Sequence, residues 1–331
     1  MHARHWIWMV GAVLTLVLSL TWLAVAGPAK KPIEWPALNP AFAEATFVND
    51  PETCRACHED SMKIFEHTKH AQAFGHATPS GGMCESCHGP RSKHVENPTD
   101  ELKLEKLTAA QQSSICLQCH QEGSRLGWKF GAHQANDVSC LSCHYVMGKK
   151  SARSLLVKGS PRELKGSSRE LINRGGDPPF TEQPQAVSET CYQCHSEVRG
   201  EMSRMSHHPV REGRMDCTSC HNVHGGTPGL LVKNTLNDTC VSCHTDKRGP
   251  FVWEHPPVRE NCENCHTPHG SNHRNLLANK DSFLCLSCHS YGGHINLPRY
   301  NRTSNPYGSG CVNCHITTHG SNHPSGAKQT R

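Results

Sequence analysis

The sequence predicts a chain of loops and short helices with little or no sheet, wrapped around prosthetic groups rather than around an apolar core. Three observations carry this expectation. All twenty cysteines fall in ten copies of Cys-x-x-Cys-His. Hydrophobic residues make up only 35% of the 331-residue chain, where an ordinary globular chain has about 45–50%. Its 27 glycines and 21 prolines mark turns rather than long regular elements.

Cys-x-x-Cys-His is the attachment signature of a c-type haem. Its two thiols form thioethers with the porphyrin, and the histidine sits under the iron as proximal ligand. In chain order the first five motifs are Cys54, Cys57, His58; Cys84, Cys87, His88; Cys116, Cys119, His120; Cys140, Cys143, His144; and Cys191, Cys194, His195. The second five are Cys217, Cys220, His221; Cys240, Cys243, His244; Cys262, Cys265, His266; Cys285, Cys288, His289; and Cys311, Cys314, His315. Zinc sites use CxxC pairs but do not require a histidine after every second cysteine. A disulfide scaffold does not repeat a two-residue gap ten times. Ten covalently bound haem c groups are therefore expected. Roughly 33 residues serve each one, too few for an apolar core of its own, so folding should be coupled to cofactor attachment.

The formal charge of +5 omits the cofactors. Removal of residues 1–26, which contain Arg4 and no acid, leaves +4. Ten haems with ionised propionates would turn this to about −6 oxidised and about −16 reduced, which excludes nucleic acid as a partner inferred from a basic pI.

Residues 1–26 read as a signal peptide, with a retained anchor as the alternative. Arg4 supplies the positive start, an apolar run extends from Trp6 to Ala26, and Ala24-Val25-Ala26 offers a small-x-small cleavage site. Both readings export the motif region, and periplasmic maturation suits c-type haem. Residues 27–50 form a linker.

Successive first cysteines are separated by 30, 32, 24, 51, 26, 23, 22, 23 and 26 residues, the near-fixed period of a modular array. The long gap, residues 148–189, has neither cysteine nor histidine and reads as a loop insertion, with a docking element as the alternative and a short helix expected at 161–173. A helix is also expected over 108–119, leading into the third motif. No strand is expected.

Ten irons need up to twenty axial ligands. The chain has 26 histidines, of which ten are proximal and two, His2 and His5, lie in the export segment. Fourteen remain: His67, His70, His76, His94, His133, His207, His208, His224, His255, His269, His273, His294, His319 and His323. This surplus points to bis-histidine ligation with four or five bystanders. His224, His269 and His319 recur just after motif histidines, in CHNVHG, CHTPHG and CHITTHG. A histidine so placed cannot reach around its own haem and should ligate a neighbouring one. The fourth motif continues CHYVMG, with Met147 in that position. The sulfur of Met147 is expected to ligate a neighbouring iron; the alternative is that it packs on a porphyrin and His67, His76, His207, His273 or His323 is the tenth distal ligand.

From Asp50 to its end the chain resembles the MtrA/DmsE family of decahaem cytochromes, PioA/MtoA-like iron-oxidation members among them. The resemblance rests on CESCHGP, NDVSCLSCH, NDTCVSCHTDKRGPFVWEHPPVRENCENCHTPHGSN and THGSNHPSG. It implies an elongated rod of two pentahaem halves, residues 51–200 and 201–331, inserted in an outer-membrane β-barrel porin. It also implies electron exchange with periplasmic cytochromes and with an outer-face multihaem cytochrome, mineral or soluble iron. The family's distal histidines match His70, His94, His133, His208, His224, His255, His269, His294 and His319, while the tenth position falls on Met147.

The expected function is an electron-transfer conduit across the outer membrane, in extracellular Fe(II) oxidation or metal reduction. The hydrocarbon barrier of about 30 Å is more than one haem can cross, and this chain has no lipid-facing strands of its own. No substrate-pocket catalytic residue is expected, though Fe(II)-oxidising activity is compatible. One alternative is a soluble periplasmic shuttle or an electron-supply subunit for an extracellular reductase. A lesser one is a multihaem oxidoreductase with an open haem.

Overall fold

A computed structural model describes residues 33–74, 82–98, 103–147, 184–290 and 310–328. The export segment, the expected helix at 161–173, most of the 148–189 insertion, His76 and His294 lie outside these residues. Short helices and turns dominate, as the composition leads one to expect. The sole sheet among the described residues pairs two strands of two residues each. These are β1 (Trp253–Glu254) and β2 (Gly320–Ser321), antiparallel, with Trp253 opposite Ser321.

The motifs alternate between two local settings. Odd motifs ride on helices: α1 (Pro51–Phe65) carries Cys54, α3 (Ala109–Cys116) ends at Cys116, α5 (Pro184–Tyr192) carries Cys191, α6 (Leu236–Val241) carries Cys240 and α7 (Asp281–Leu286) carries Cys285. Even motifs occupy α2 (Gly82–His88), the single turn α4 (Cys140–Cys143) and 3-10 turns at Cys217–Ser219, Cys262–Asn264 and Cys311–Asn313.

Polar caps start these turns. Asp50 accepts from the amides of Glu52 and Thr53, Thr108 and Gln111 form a capping box, and Thr235, Asp216 and Asn261 cap the turns that follow them. The helix expected over 108–119 thus begins where its cap dictates but ends at Cys116. It is held by Gln111, whose side chain donates to the Leu38 carbonyl at 2.6 Å.

Apolar cores are small. Trp35, Phe42, Leu107 and Ile115 form one cluster, and Tyr192, Met202 and Val210 form another. In the first, the Trp35 and Phe42 rings meet edge to face at 5.3 Å.

Candidate haem-binding site

The pentapeptide itself sets the site's local geometry. From the third motif onward, each motif histidine amide donates to the carbonyl of its first cysteine at 2.8–3.1 Å, from His120 on Cys116 to His315 on Cys311. One helical turn of this kind projects two thiols and an imidazole from a single short segment.

The motifs meet in strict chain order, through alternating cysteines. First cysteines lie close together in five pairs: Cys54 with Cys84, Cys116 with Cys140, Cys191 with Cys217, Cys240 with Cys262 and Cys285 with Cys311. Second cysteines supply the steps between those pairs, Cys87 near Cys119, Cys143 near Cys194, Cys220 near Cys243 and Cys265 near Cys288, each interacting electrostatically. The run from first to tenth motif is unbroken. Along most of it lies one cavity of about 4130 Å³, lined from Cys87 to His315, far beyond the roughly 300–1,000 Å³ of a single ligand site.

Across this space, eight motif histidines each face a histidine from elsewhere in the chain. Ring centroids are separated by 6.2 Å for His58–His94, 5.9 Å for His120–His70, 6.3 Å for His144–His224 and 6.2 Å for His195–His133. The others are 6.0 Å for His221–His269, 6.2 Å for His244–His208, 6.1 Å for His266–His319 and 6.0 Å for His289–His255. An iron shared by two imidazoles needs metal–nitrogen bonds of roughly 2 Å on each side, with each ring centre about 1 Å further back. The resulting separation of roughly 6 Å is the one that recurs here, so the residues fit a haem iron.

Hydrogen bonds leave the outward ring nitrogen of these histidines available. His133, His208 and His255 donate through Nδ1 to the carbonyls of Val223, Pro268 and Thr318 at 2.9, 2.8 and 2.9 Å. Each acceptor immediately precedes His224, His269 or His319, so one strap orients two facing ligands at once. On the proximal side, His221, His266 and His315 direct Nδ1 to the carbonyls of Gly229, Asn275 and Lys328. Burial lowers the pKa of His70, His221 and His319 and takes His224 down to about 4. It holds them in the neutral form that binds metals.

Of the sequence-derived candidates, the structure brings eight distal histidines into these pairs. His88 and His315 are the two motif histidines that are not among them. His207 and His208 separate cleanly. His208 faces His244, whereas His207 has both ring nitrogens engaged, with the Arg204 carbonyl at 2.7 Å and Glu212 Oε1 at 3.1 Å. Glu212, and then the Arg204 carbonyl, raise its pKa, and a protonated imidazole has no lone pair for iron. His67 is exposed, and His323 turns Nδ1 to Ser325 Oγ at 2.7 Å.

One expectation needs correcting. His224, His269 and His319 do not reach the adjacent motif. They face His144, His221 and His266, each two motifs upstream.

The glycine after each of these histidines was an unread part of the motif. A Cβ on Gly225 would lie 2.6 Å from the Gly127 carbonyl oxygen, and one on Gly270 or Gly320 would overlap the Glu201 carbonyl or the Phe251 ring. Only glycine lets these straps close on the preceding segment. Trp128 was missed as well. It is buried, holds Gln134 Oε1 through Nε1 at 2.6 Å, and places its ring 6.4 Å from His133 and 6.2 Å from His224. A lone tryptophan carries no sequence signal for this position.

Family models match in three places: a doubled CXXCH motif at residues 207–249 and 255–294, a cytochrome c-type protein NrfB-like at 84–163, and cytochrome c554 and c-prime at 53–83. The chain is 33% identical to the multihaem cytochrome MtrA of Shewanella baltica, over 95% of this chain and 94% of that one. It is 30% identical to a high-molecular-weight cytochrome c of Nitratidesulfovibrio vulgaris, over 55% of this chain and 31% of that one. With motif order, ring spacing and near full-length similarity in agreement, the chain belongs to the MtrA family and is a multihaem electron-transfer cytochrome with covalently attached haem c.

Proposed function

We propose that this chain carries ten haems and conducts electrons along them across an outer membrane, inside a porin-like barrel supplied by another chain. The observation that carries the reading is the unbroken order of motif contacts, alternating between first and second cysteines. When bound, each haem supplies an iron that takes up and releases one electron. The chain's own residues fix the rest. Neighbouring motifs lie close through their cysteines, and the eight facing histidine pairs would hold eight of the irons from both sides, with no substrate position left at those sites. The Nδ1-to-carbonyl bonds stop the rings from reorienting.

Among the described residues no helix is long and apolar enough to cross a membrane. The lipid-facing wall is assigned in this reading to the partner. Export follows from residues 1–26. Extracellular Fe(II) is the favoured donor and a periplasmic cytochrome the favoured acceptor. A chain of such sites conducts in either direction, and the partners' potentials decide.

Denaturing mass spectrometry of the mature protein should show ten haem additions on a chain beginning near Gly27; fewer than ten would break the file. In sealed vesicles carrying the barrel complex, Fe(II) added outside should reduce an acceptor trapped inside. No transfer with the complex correctly inserted would remove the conduit role and leave a soluble shuttle.

The ligand pairs make a sharper prediction. His208→Ala should convert one haem from six-coordinate low spin to an open site that takes up added imidazole, read by electron paramagnetic resonance. His207→Ala should leave every haem spectrum unchanged. The reverse pattern would rule out the pairing of His208 with His244.

A further inference from the structure

We infer that Glu201 is the outer carboxylate of the haem on the sixth motif: it accepts the Nδ1 proton of the distal ligand His269 and makes this haem more reducing than its counterparts on the fourth and eighth motifs. The inference rests on the haem-file reading above and deepens it.

Three copies of one arrangement isolate the feature. His224 faces His144, His269 faces His221 and His319 faces His266. The copies differ in the charge beside the distal ring. His224 interacts with the Arg125 cation. His319 has Lys247 and Asp246 beside it, and these two neutralise each other in an ion pair of 2.8 Å. Among the described residues, His269 is the one of the three with a carboxylate oxygen at ion-pair distance. Glu201 Oε2 lies 3.4 Å from its Nδ1.

The backbone fixes this approach. Glu201 ends the short helix Ser196–Glu201, and its carbonyl passes so close to Gly270 that a Cβ there would overlap it. Ser206 and Ser271 exchange both backbone hydrogen bonds, at 2.9 and 2.8 Å. Arg204 donates to the Gly270 carbonyl at 3.0 Å and to Glu201 Oε1 at 3.4 Å, which leaves Oε2 for the ring. The Glu201 side chain is 28% exposed, so solvent and Arg204 damp its charge at a distance. The effect is therefore carried by the direct contact with the ring.

The chemistry follows from the ligand. Iron bound at Nε2 leaves the proton on Nδ1. At His133, His208 and His255 that proton meets a peptide carbonyl. A carboxylate is the stronger acceptor and pushes the imidazole further toward its anion, a more basic ligand. Such a ligand stabilises Fe(III) over Fe(II), so the reduction potential falls. The sixth motif lies at the start of the second proposed five-haem half. Electrons passing between the halves would meet a step there.

The test uses the haem-loaded protein, wild type, Glu201→Gln, Glu201→Asp and Glu197→Gln. In the ferric wild type, near-infrared magnetic circular dichroism should show one haem whose charge-transfer band lies at higher energy than the bis-histidine majority. Glu201→Gln should return it to the majority, and Glu201→Asp, which keeps the carboxylate, should hold it between the two. In a redox titration Glu201→Gln should raise one couple by about tenfold in its reduction equilibrium, about 59 mV for one electron, the lower end of what outer-shell partners contribute at metal sites. Glu197→Gln, at an exposed glutamate of the same helix, should leave that couple where it is. A residue that only props the strap would change stability without moving the band.

Absence of the displaced band in the wild type, or a band and couple that Glu201→Gln does not move, would overturn the proposal. The wild-type spectrum decides even if a variant fails to fold. His269→Ala separates this failure from failure of the file. If it opens one haem to added imidazole while the wild type shows no displaced band, the carboxylate role alone is lost. If it leaves every haem six-coordinate, the pairing of His221 with His269 is lost and the proposal with it.

Discussion

Produced without haem attachment, the chain will show no cooperative unfolding transition and no fixed near-ultraviolet circular dichroism. The described residues bury only eleven hydrophobic side chains, in two small clusters and a few isolated positions. Conformational entropy opposes folding at every residue, and that much apolar contact cannot offset it across a chain of this length. The segments between clusters are walls of a cavity several cofactors long, and their backbone turns enclose little of their own. Covalent haem attachment would supply both the missing apolar volume and fixed points along the chain, so that binding and folding become one event. Cys→Ala at both positions of a central motif, Cys191 and Cys194, should lose the local fold on both sides of that motif in hydrogen exchange while distant motifs stay protected. An apo chain with a native-like, cooperative thermal transition would overturn this.

Replacing Glu85 by alanine should destabilise the N-terminal end by about 2–5 kcal/mol, from three orphaned amides at roughly 1–3 kcal/mol for each buried group, discounted where water reaches Asn49. The Glu85 side chain is 3% exposed. Its carboxylate accepts from the amides of Val48, Asn49 and Arg91 at 2.9–3.0 Å. It thereby ties the segment before α1 to the second motif. Glutamine keeps one acceptor oxygen and should cost less. The carboxylate also interacts electrostatically with Cys54 and Cys84, so its removal should raise the potentials of the first two haems, because a nearby negative charge favours the ferric state. Thermal melting followed by proteolysis near residues 46–49 would show the loss, and a variant within about 0.5 kcal/mol of wild type would count as an ordinary surface change and refute the role.

The pairing rule that emerges has a period of two motifs. Odd motif histidines from the third onward face a histidine from the linker two segments earlier, as His195 faces His133 and His244 faces His208. The even ones His144, His221 and His266 face a histidine two motifs ahead. His94, facing His58, stands outside both series because the first motif has nothing upstream to supply it.

The carbonyls that hold the proximal rings are placed at some cost. Gly229 and Leu230, and likewise Asn275 and Leu276, take two successive left-handed conformations, as in a type I′ turn. A leucine in that region is strained by roughly 1–3 kcal/mol. The strain turns the carbonyl of Gly229 or Asn275 onto the proximal imidazole, and that of Leu230 or Leu276 onto the amide of Asn222 or Thr267.

Cys-x-x-Cys-His is a local instruction, complete within five residues, so the sequence by itself determined the covalent haem c class of the chain and the loop-rich class of the fold. It also determined the capped starts of the turns, because Asp50, Thr108, Thr235 and Asn261 act on amides two or three residues away. Which distal histidine faces which motif was decided by tertiary structure alone. His207 and His208 are adjacent and chemically identical, and only the contact with Glu212 withdraws one while the Pro268 carbonyl aims the other at His244. The two-motif reach of His224, His269 and His319 was equally invisible, since it joins residues far apart in the sequence. The glycine after each of them was in plain view, but its reason, a backbone passing too close for a side chain, exists only once the straps have closed.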